Sequence, residues 1–134
     1  MNKQLVISRM KTLYPGKVIL CIPEEKPKEI ICEIEPTKNH SDYSEAIAVI
    51  DQSAKHVHKI TTEKYEVIQG TLIFTINRND VTLKQGKIFT VRPNEEHSAK
   101  GNSTWVRVTS HPGWTPKDHI VISSEVPSDA TKSR

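Results

Sequence analysis

His56 and His58 place two imidazoles two positions apart, and Glu63 follows five residues after His58. On an extended strand, residues i and i+2 point to one face, so both rings can aim at a common point while Val57 faces away. Glu63 stands at an odd offset from His58, and an uninterrupted strand would carry it to the opposite face. A turn or bulge within residues 59–62 is needed to bring it back. His97 closes a second stretch, GKIFTVRPNEEH, in which Gly86 turns the chain into a strand and Pro93 ends it. The histidine is then expected to lean back from the following loop. Three imidazoles and one carboxylate are nitrogen and oxygen donors that suit one divalent transition metal: Mn, Fe, Co, Ni, Cu or Zn. Such an ion polarises a carbonyl or enolate as a Lewis acid or, if redox-active, activates dioxygen. Without a cation the same four groups would have to form a polar core network, and their donors and acceptors would satisfy one another poorly.

Placing these residues calls for strands. Short runs rich in Val, Ile and Thr recur at 5–8, 17–22, 29–34, 45–50, 56–59, 63–68, 71–76, 81–83, 87–92, 105–110 and 119–122. Turn residues separate them: YPGK, PEEKPK, NRND, KQGK and RPNEEH supply the positive or fixed φ that tight turns require. No sustained 3.6-residue apolar repeat is evident. Many short strands at this spacing mean a sandwich or a closed barrel. On the strand beginning at Glu63, Tyr65 and Val67 share its face, the expected barrel interior. Tyr65 is the candidate catalytic residue, donating a hydrogen bond to a bound substrate. The stronger reading of the same residue is a core aromatic with its hydroxyl at the barrel mouth.

The 134 residues suit one domain over 1–134, with a flexible polar tail over 126–134. Net charge is +3, from 19 basic and 16 acidic residues that are interspersed, so no basic stripe points to nucleic acid. No apolar run approaches the ~18 residues of a membrane span, and no apolar leader opens the chain. The expected setting is cytoplasmic. Cys21 and Cys32 each sit inside an apolar run and read as buried thiols in a reducing compartment. The segment SHPGWTPKDH reads as a Pro-rich turn seating Trp114 in a peripheral core, with His111 and His119 at the surface.

Together, HVHKITTEKYEVIQG and GKIFTVRPNEEH resemble the two motifs of the cupins, with His56, His58, Glu63, Gly70, Gly86, Pro93 and His97 in register. The resemblance spans roughly residues 45–110. It implies an all-β fold, a double-stranded β-helix or jelly-roll-like barrel of two packed antiparallel sheets. It also implies a metal on His56, His58, Glu63 and His97, and a homodimer. Residues 1–42, outside the motifs, would add strands to a sheet or exchange them with a second subunit. At three turn positions the chain departs from the family pattern: Ile50 and Asn94 replace glycines, and Gly101 stands where an asparagine is expected, with Asn102 one step late.

The resemblance implies a small-molecule ligand, and an enzyme of dioxygenase, isomerase, epimerase or decarboxylase type acting on an oxygen-rich molecule. The alternative is a non-catalytic, metal-dependent small-molecule or sugar-binding module. Open metal positions would mark the first and a closed shell the second.

Overall fold

The chain opens with helix α1, Lys3–Leu13, where the local composition reads as a strand over 5–8. In the computed structural model, Asn2 caps the helix by accepting from the Leu5 amide at 3.0 Å. Val6 and Met10, one turn apart, are its buried face. Two apolar positions make too thin a stripe to register as a helical repeat, and Leu5–Val6–Ile7 carries a strong local strand signal. The helix exists because Val6 and Met10 pack against Ile30, Cys32, Ile47 and Val49 on the outside of the sheet. The structure describes residues 1–122; the tail expected over 126–134 lies outside the described residues.

Among the described residues ten strands follow: β1 (Val18–Ile22), β2 (Glu29–Glu35), β3 (Ser44–Gln52), β4 (His56–Val57), β5 (Thr62–Gln69), β6 (Thr71–Ile76), β7 (Asn79–Lys84), β8 (Ile88–Val91), β9 (His97–His111) and β10 (Ile120–Val121). All pair antiparallel within one curled sheet. Strand β9 belongs to two leaves. Its first part pairs β6 and touches β4, which pairs β10. Its second part lies between β3 and β5, with β2, β1 and β8 beyond. A cupin-type β-barrel results.

The bend that lets β9 serve both leaves lies at Gly101–Ser103. A Cβ on Gly101 would stand 2.5 Å from Thr104 Oγ1 and 2.8 Å from the Ile50 carbonyl, so only glycine fits. Ser103 has φ +50°, and its amide donates to Asp51 Oδ1 at 2.7 Å. His97 therefore begins a fifteen-residue strand instead of standing in a loop ahead of a strand over 105–110. Residues 97–104, HSAKGNST, carry little strand propensity of their own, and pairing with β6 and β3 makes them one. At other turns the chain behaves as its residues suggest. Asn77 and Arg78, at φ +46° and +73°, form the β6–β7 hairpin, and Asn94 takes φ +70° in place of a glycine.

The barrel interior holds Ala48, Ile50, Tyr65, Val67, Leu72, Phe74, Val91 and Val106, among others. Alternation along β2 sends Ile30 and Cys32 outward to the helix, and turns Glu29, Ile31 and Glu33 to the other face. Cys21 pairs with Ile30, and Cys32 with Ile19, so the two thiols do not face each other; both are free. No helix among the described residues is long and apolar enough to cross a membrane.

Candidate metal centre

His56 and His97 sit opposite each other on β4 and β9. His58 follows β4 by one residue, and Glu63 is the second residue of β5. The return of Glu63 to the same side comes from a turn at residues 59–60. That turn is fastened from far along the chain. The Asp118 carboxylate accepts from the amides of Lys59 at 2.7 Å, Ile60 at 3.2 Å and Thr61 at 3.0 Å. Burial opposes the charge on Asp118, but these amides outweigh it and hold the carboxyl below its usual range.

One potential ligand atom from each of His56, His58, Glu63 and His97 lies within 4.8 Å of the others. All four side chains are buried, at most 5% exposed. Each imidazole donates its Nδ1 hydrogen to a backbone carbonyl: His56 to Ala54 at 2.8 Å, His58 to Asp118 at 2.7 Å, His97 to Glu95 at 2.9 Å. This fixes the tautomer and leaves each Nε2 as the free lone pair. The Nε2 atoms of His58 and His97 approach Glu63 Oε1 at 3.2 and 3.4 Å. In the neutral rings these are acceptors facing an acceptor, and both are buried with no hydrogen-bond partner. A cation at their centre would satisfy all of them, so the donor set fits a divalent metal.

The electrostatics of the cation-free cluster carry the same strain. Burial and then the charge on His97 push His56 down to about 3. Burial opposes ionisation of Glu63, yet His58 and His97 overcome it and hold the carboxyl well below its usual range. Burial likewise opposes charge on His58, and Glu63 overcomes it and raises that pKa.

Tyr65 donates its hydroxyl to Glu63 Oε1 at 3.1 Å and packs on Phe74 at 4.8 Å between ring centroids. It stands between the quartet and the aliphatic interior. Burial first, then the charges of Glu63 and Glu29, raise its pKa well above the usual value, so it is a hydrogen-bond donor at neutral pH.

The segment after β9 differs from its surface reading. His119 is half-buried and stacks on His56, with ring centroids 4.3 Å apart. Trp114 Nε1 donates to His119 Nδ1 at 3.1 Å. Trp114 is itself anchored: its amide donates to Ser44 Oγ at 2.9 Å, and its carbonyl accepts from Thr37 Oγ1 at 2.6 Å. This strap lies beside the quartet rather than in a peripheral core. His111 is exposed and packs on Tyr43. Asp118 and His119 act across about sixty residues of sequence, so no local pattern announces them.

The model of the AraC-like ligand-binding domain family matches residues 40–107. No curated protein sequence matches the chain. Streptomyces Pac13 with uridine superposes with a TM-score of 0.69 at 14% identity, over 82% of this chain and 88% of that one; another structure of Pac13 describes it as a nucleoside dehydratase. KdgF from Halomonas gives a TM-score of 0.60 at 17% identity, over 68% and 86%. Oxalate decarboxylase from Bacillus subtilis gives 0.67 at 11%, over 81% of this chain and 31% of that one. Identities this low carry the fold alone.

Proposed function

The chain belongs to the family of AraC-like ligand-binding domains, and from that premise we propose that its barrel is an enzyme acting on a small oxygen-bearing molecule at a divalent metal held by His56, His58, Glu63 and His97. The observation that carries this reading is the pair of orphaned Nε2 atoms on His58 and His97, aimed with Glu63 at one centre. Mn, Fe, Co, Ni, Cu or Zn would supply Lewis-acid polarisation of a substrate oxygen there. The protein's own part is to orient. The carbonyls of Ala54, Glu95 and Asp118 hold the three rings in one tautomer, and the barrel wall excludes water. The Tyr65 hydroxyl, beside Glu63, is placed to donate a hydrogen bond to bound substrate. The nucleoside dehydratase and the oxalate decarboxylase are enzymes built on this barrel, which supports catalysis without choosing a reaction.

A second reading, a non-catalytic module binding a small molecule or sugar, is favoured by the ligand-binding family and by the depth at which all four donors lie. Coordinated waters on the metal would favour catalysis, and a four-coordinate closed shell would favour binding or structure.

We also propose that the chain pairs with a second copy along β1. Among the described residues that strand pairs only with β2, and Val18, Leu20 and Ile22 on it are 54%, 42% and 49% exposed. Light scattering on Leu20→Asp tests this, and a dimer undiminished by the charge overturns it.

Elemental analysis of the purified protein and its His58→Ala variant tests the metal reading. About one equivalent of metal in the wild type and a sharp loss in the variant are expected. Equal metal content in both overturns the assignment.

A further inference from the structure

The strap that carries His119 is zipped to the strand that carries His56. Ile120 and Val121, the next two residues, pair with Val57 and His56, and the His119 amide donates to the Pro116 carbonyl at 3.2 Å. The His119 ring is held nearly flat on His56, with 4.3 Å between centroids and 24° between planes, and edge-on to His58 at 5.5 Å. The Trp114 indole N–H donates to His119 Nδ1 at 3.1 Å. A donor there requires a lone pair on Nδ1, so the ring proton sits on Nε2, on the side turned away from Trp114. Among the described residues that Nε2–H has no acceptor, and it is not one of the sealed unpartnered atoms, which are His58 Nε2 and His97 Nε2. The same contrast places the way into the site. His58 and His97 are 1% exposed, whereas His56 is 5% exposed, and its Nε2 is not sealed off. A ligand therefore enters past His56, and the half-buried His119, stacked on that ring, borders its path.

We propose that His119 is a ligand-binding residue at the mouth of this site, whose Nε2–H donates to an acceptor oxygen of a small carboxylate or keto acid held at the metal. The inference deepens the metal reading above and rests on it. An imidazole locked with its proton on Nε2 offers a donor and no acceptor on that side. A carboxylate that reaches the metal through one oxygen keeps a second oxygen free to accept from it, and so does a carbonyl beside a metal-bound oxygen. A ligand left with only N–H groups there sets donor against donor, so the residue selects as well as binds. Stacking on His56 and the bond from Trp114 fix the ring before the ligand arrives, which spares the entropy of ordering it on binding.

Acetate and imidazole are suitable probes: both ligate cobalt with a change in visible absorption, and once bound acetate retains an acceptor oxygen while imidazole retains only an N–H. The wild type, His119→Phe and His119→Gln are loaded with Co(II), assayed for cobalt by elemental analysis, and titrated with each probe at about pH 8, where free imidazole is neutral. All three are expected to hold cobalt. His119→Phe keeps a ring on His56 without the donor, and should bind acetate roughly tenfold more weakly than the wild type. Its imidazole affinity should stay within about twofold. His119→Gln, whose amide restores a donor, should recover acetate affinity to within about threefold of the wild type. Equal acetate affinity in the wild type and His119→Phe, an equal loss for both probes, no recovery in His119→Gln, or no acetate binding to the cobalt-loaded wild type overturns the role of His119. Should His119→Phe fail to fold, NMR of the zinc-loaded wild type carries the test: acetate should move the His119 Nε2–H proton downfield, and an unmoved resonance overturns the proposal. Absence of cobalt from the wild type overturns the metal reading itself, and this inference with it.

Discussion

His58 Nδ1 donates to the main-chain carbonyl of Asp118 at 2.7 Å, across sixty positions of sequence. The same Asp118, through its carboxylate, holds the turn that returns Glu63 to the side of the histidines. One residue therefore fixes both a ring orientation and the backbone path between two members of the quartet.

Asp118→Ala removes the acceptor of three amides, in a side chain that is nearly buried. A loss of about 2–3 kcal/mol in folding stability is expected from urea unfolding of the metal-free protein. Metal affinity should fall by about 10–100-fold, as it does when an orienting group behind a ligand is lost. Unchanged metal affinity would separate the turn from the site.

Trp114→Phe keeps an aromatic ring but removes the donor to His119 Nδ1. In the wild type that nitrogen is an acceptor, so His119 carries its proton on Nε2. Nitrogen-15 NMR of the imidazoles should show this single tautomer, and a mixture of tautomers in the variant. A wild-type His119 already mixed would contradict the strap geometry.

The metal-free protein should lose stability on acidification. Burial holds the folded pKa of His56 at about 3, while an unfolded chain takes up that proton near its ordinary value of about 6.5. The contribution of neutral His56 is whole above that value and drains away as pH falls toward 3. The lowered carboxyl of Glu63 adds a loss in the same direction at lower pH, beginning below the ordinary Glu value of 4.5. His58 runs the other way. Its raised pKa gives support that is whole below about 6.5 and lost as pH rises through the folded value. The urea midpoint should therefore drop between about pH 6.5 and pH 3, and less steeply in His56→Gln. The metal-loaded protein should release its ion over the same interval, as the imidazoles compete for protons.

Gly101→Ala drives a methyl group to 2.5 Å from Thr104 Oγ1 and 2.8 Å from the Ile50 carbonyl. A cost of about 2 kcal/mol or more is expected by thermal unfolding. Because β9 carries His97 on one side of this bend, metal affinity should fall as well. A variant as stable as the wild type would show that the bend relaxes freely.

Most strands were legible because their Val, Ile and Thr runs are bounded by turn residues; β6, at Thr71–Ile76, matches its expected bounds. The misreadings share one cause. Helix α1 is held by Val6 and Met10 against a sheet surface that no local window reveals. The first half of β9 is strand only because β6 and β3 lie beside it. His119 reads as a surface residue until Trp114 is seen to tie it against His56.

The sequence by itself determined the donor types and their local phase: two histidines on one strand face, a glutamate needing a turn, and a fourth ligand candidate after Pro93. Those follow from strand geometry over a few residues, which composition and spacing encode directly. Only the tertiary structure decided that the four donors meet within 4.8 Å and that Asp118 and His119 stand behind them. Such encounters depend on how distant strands register across a closed barrel. That register is fixed by the whole sheet packing at once, not by any segment of the chain.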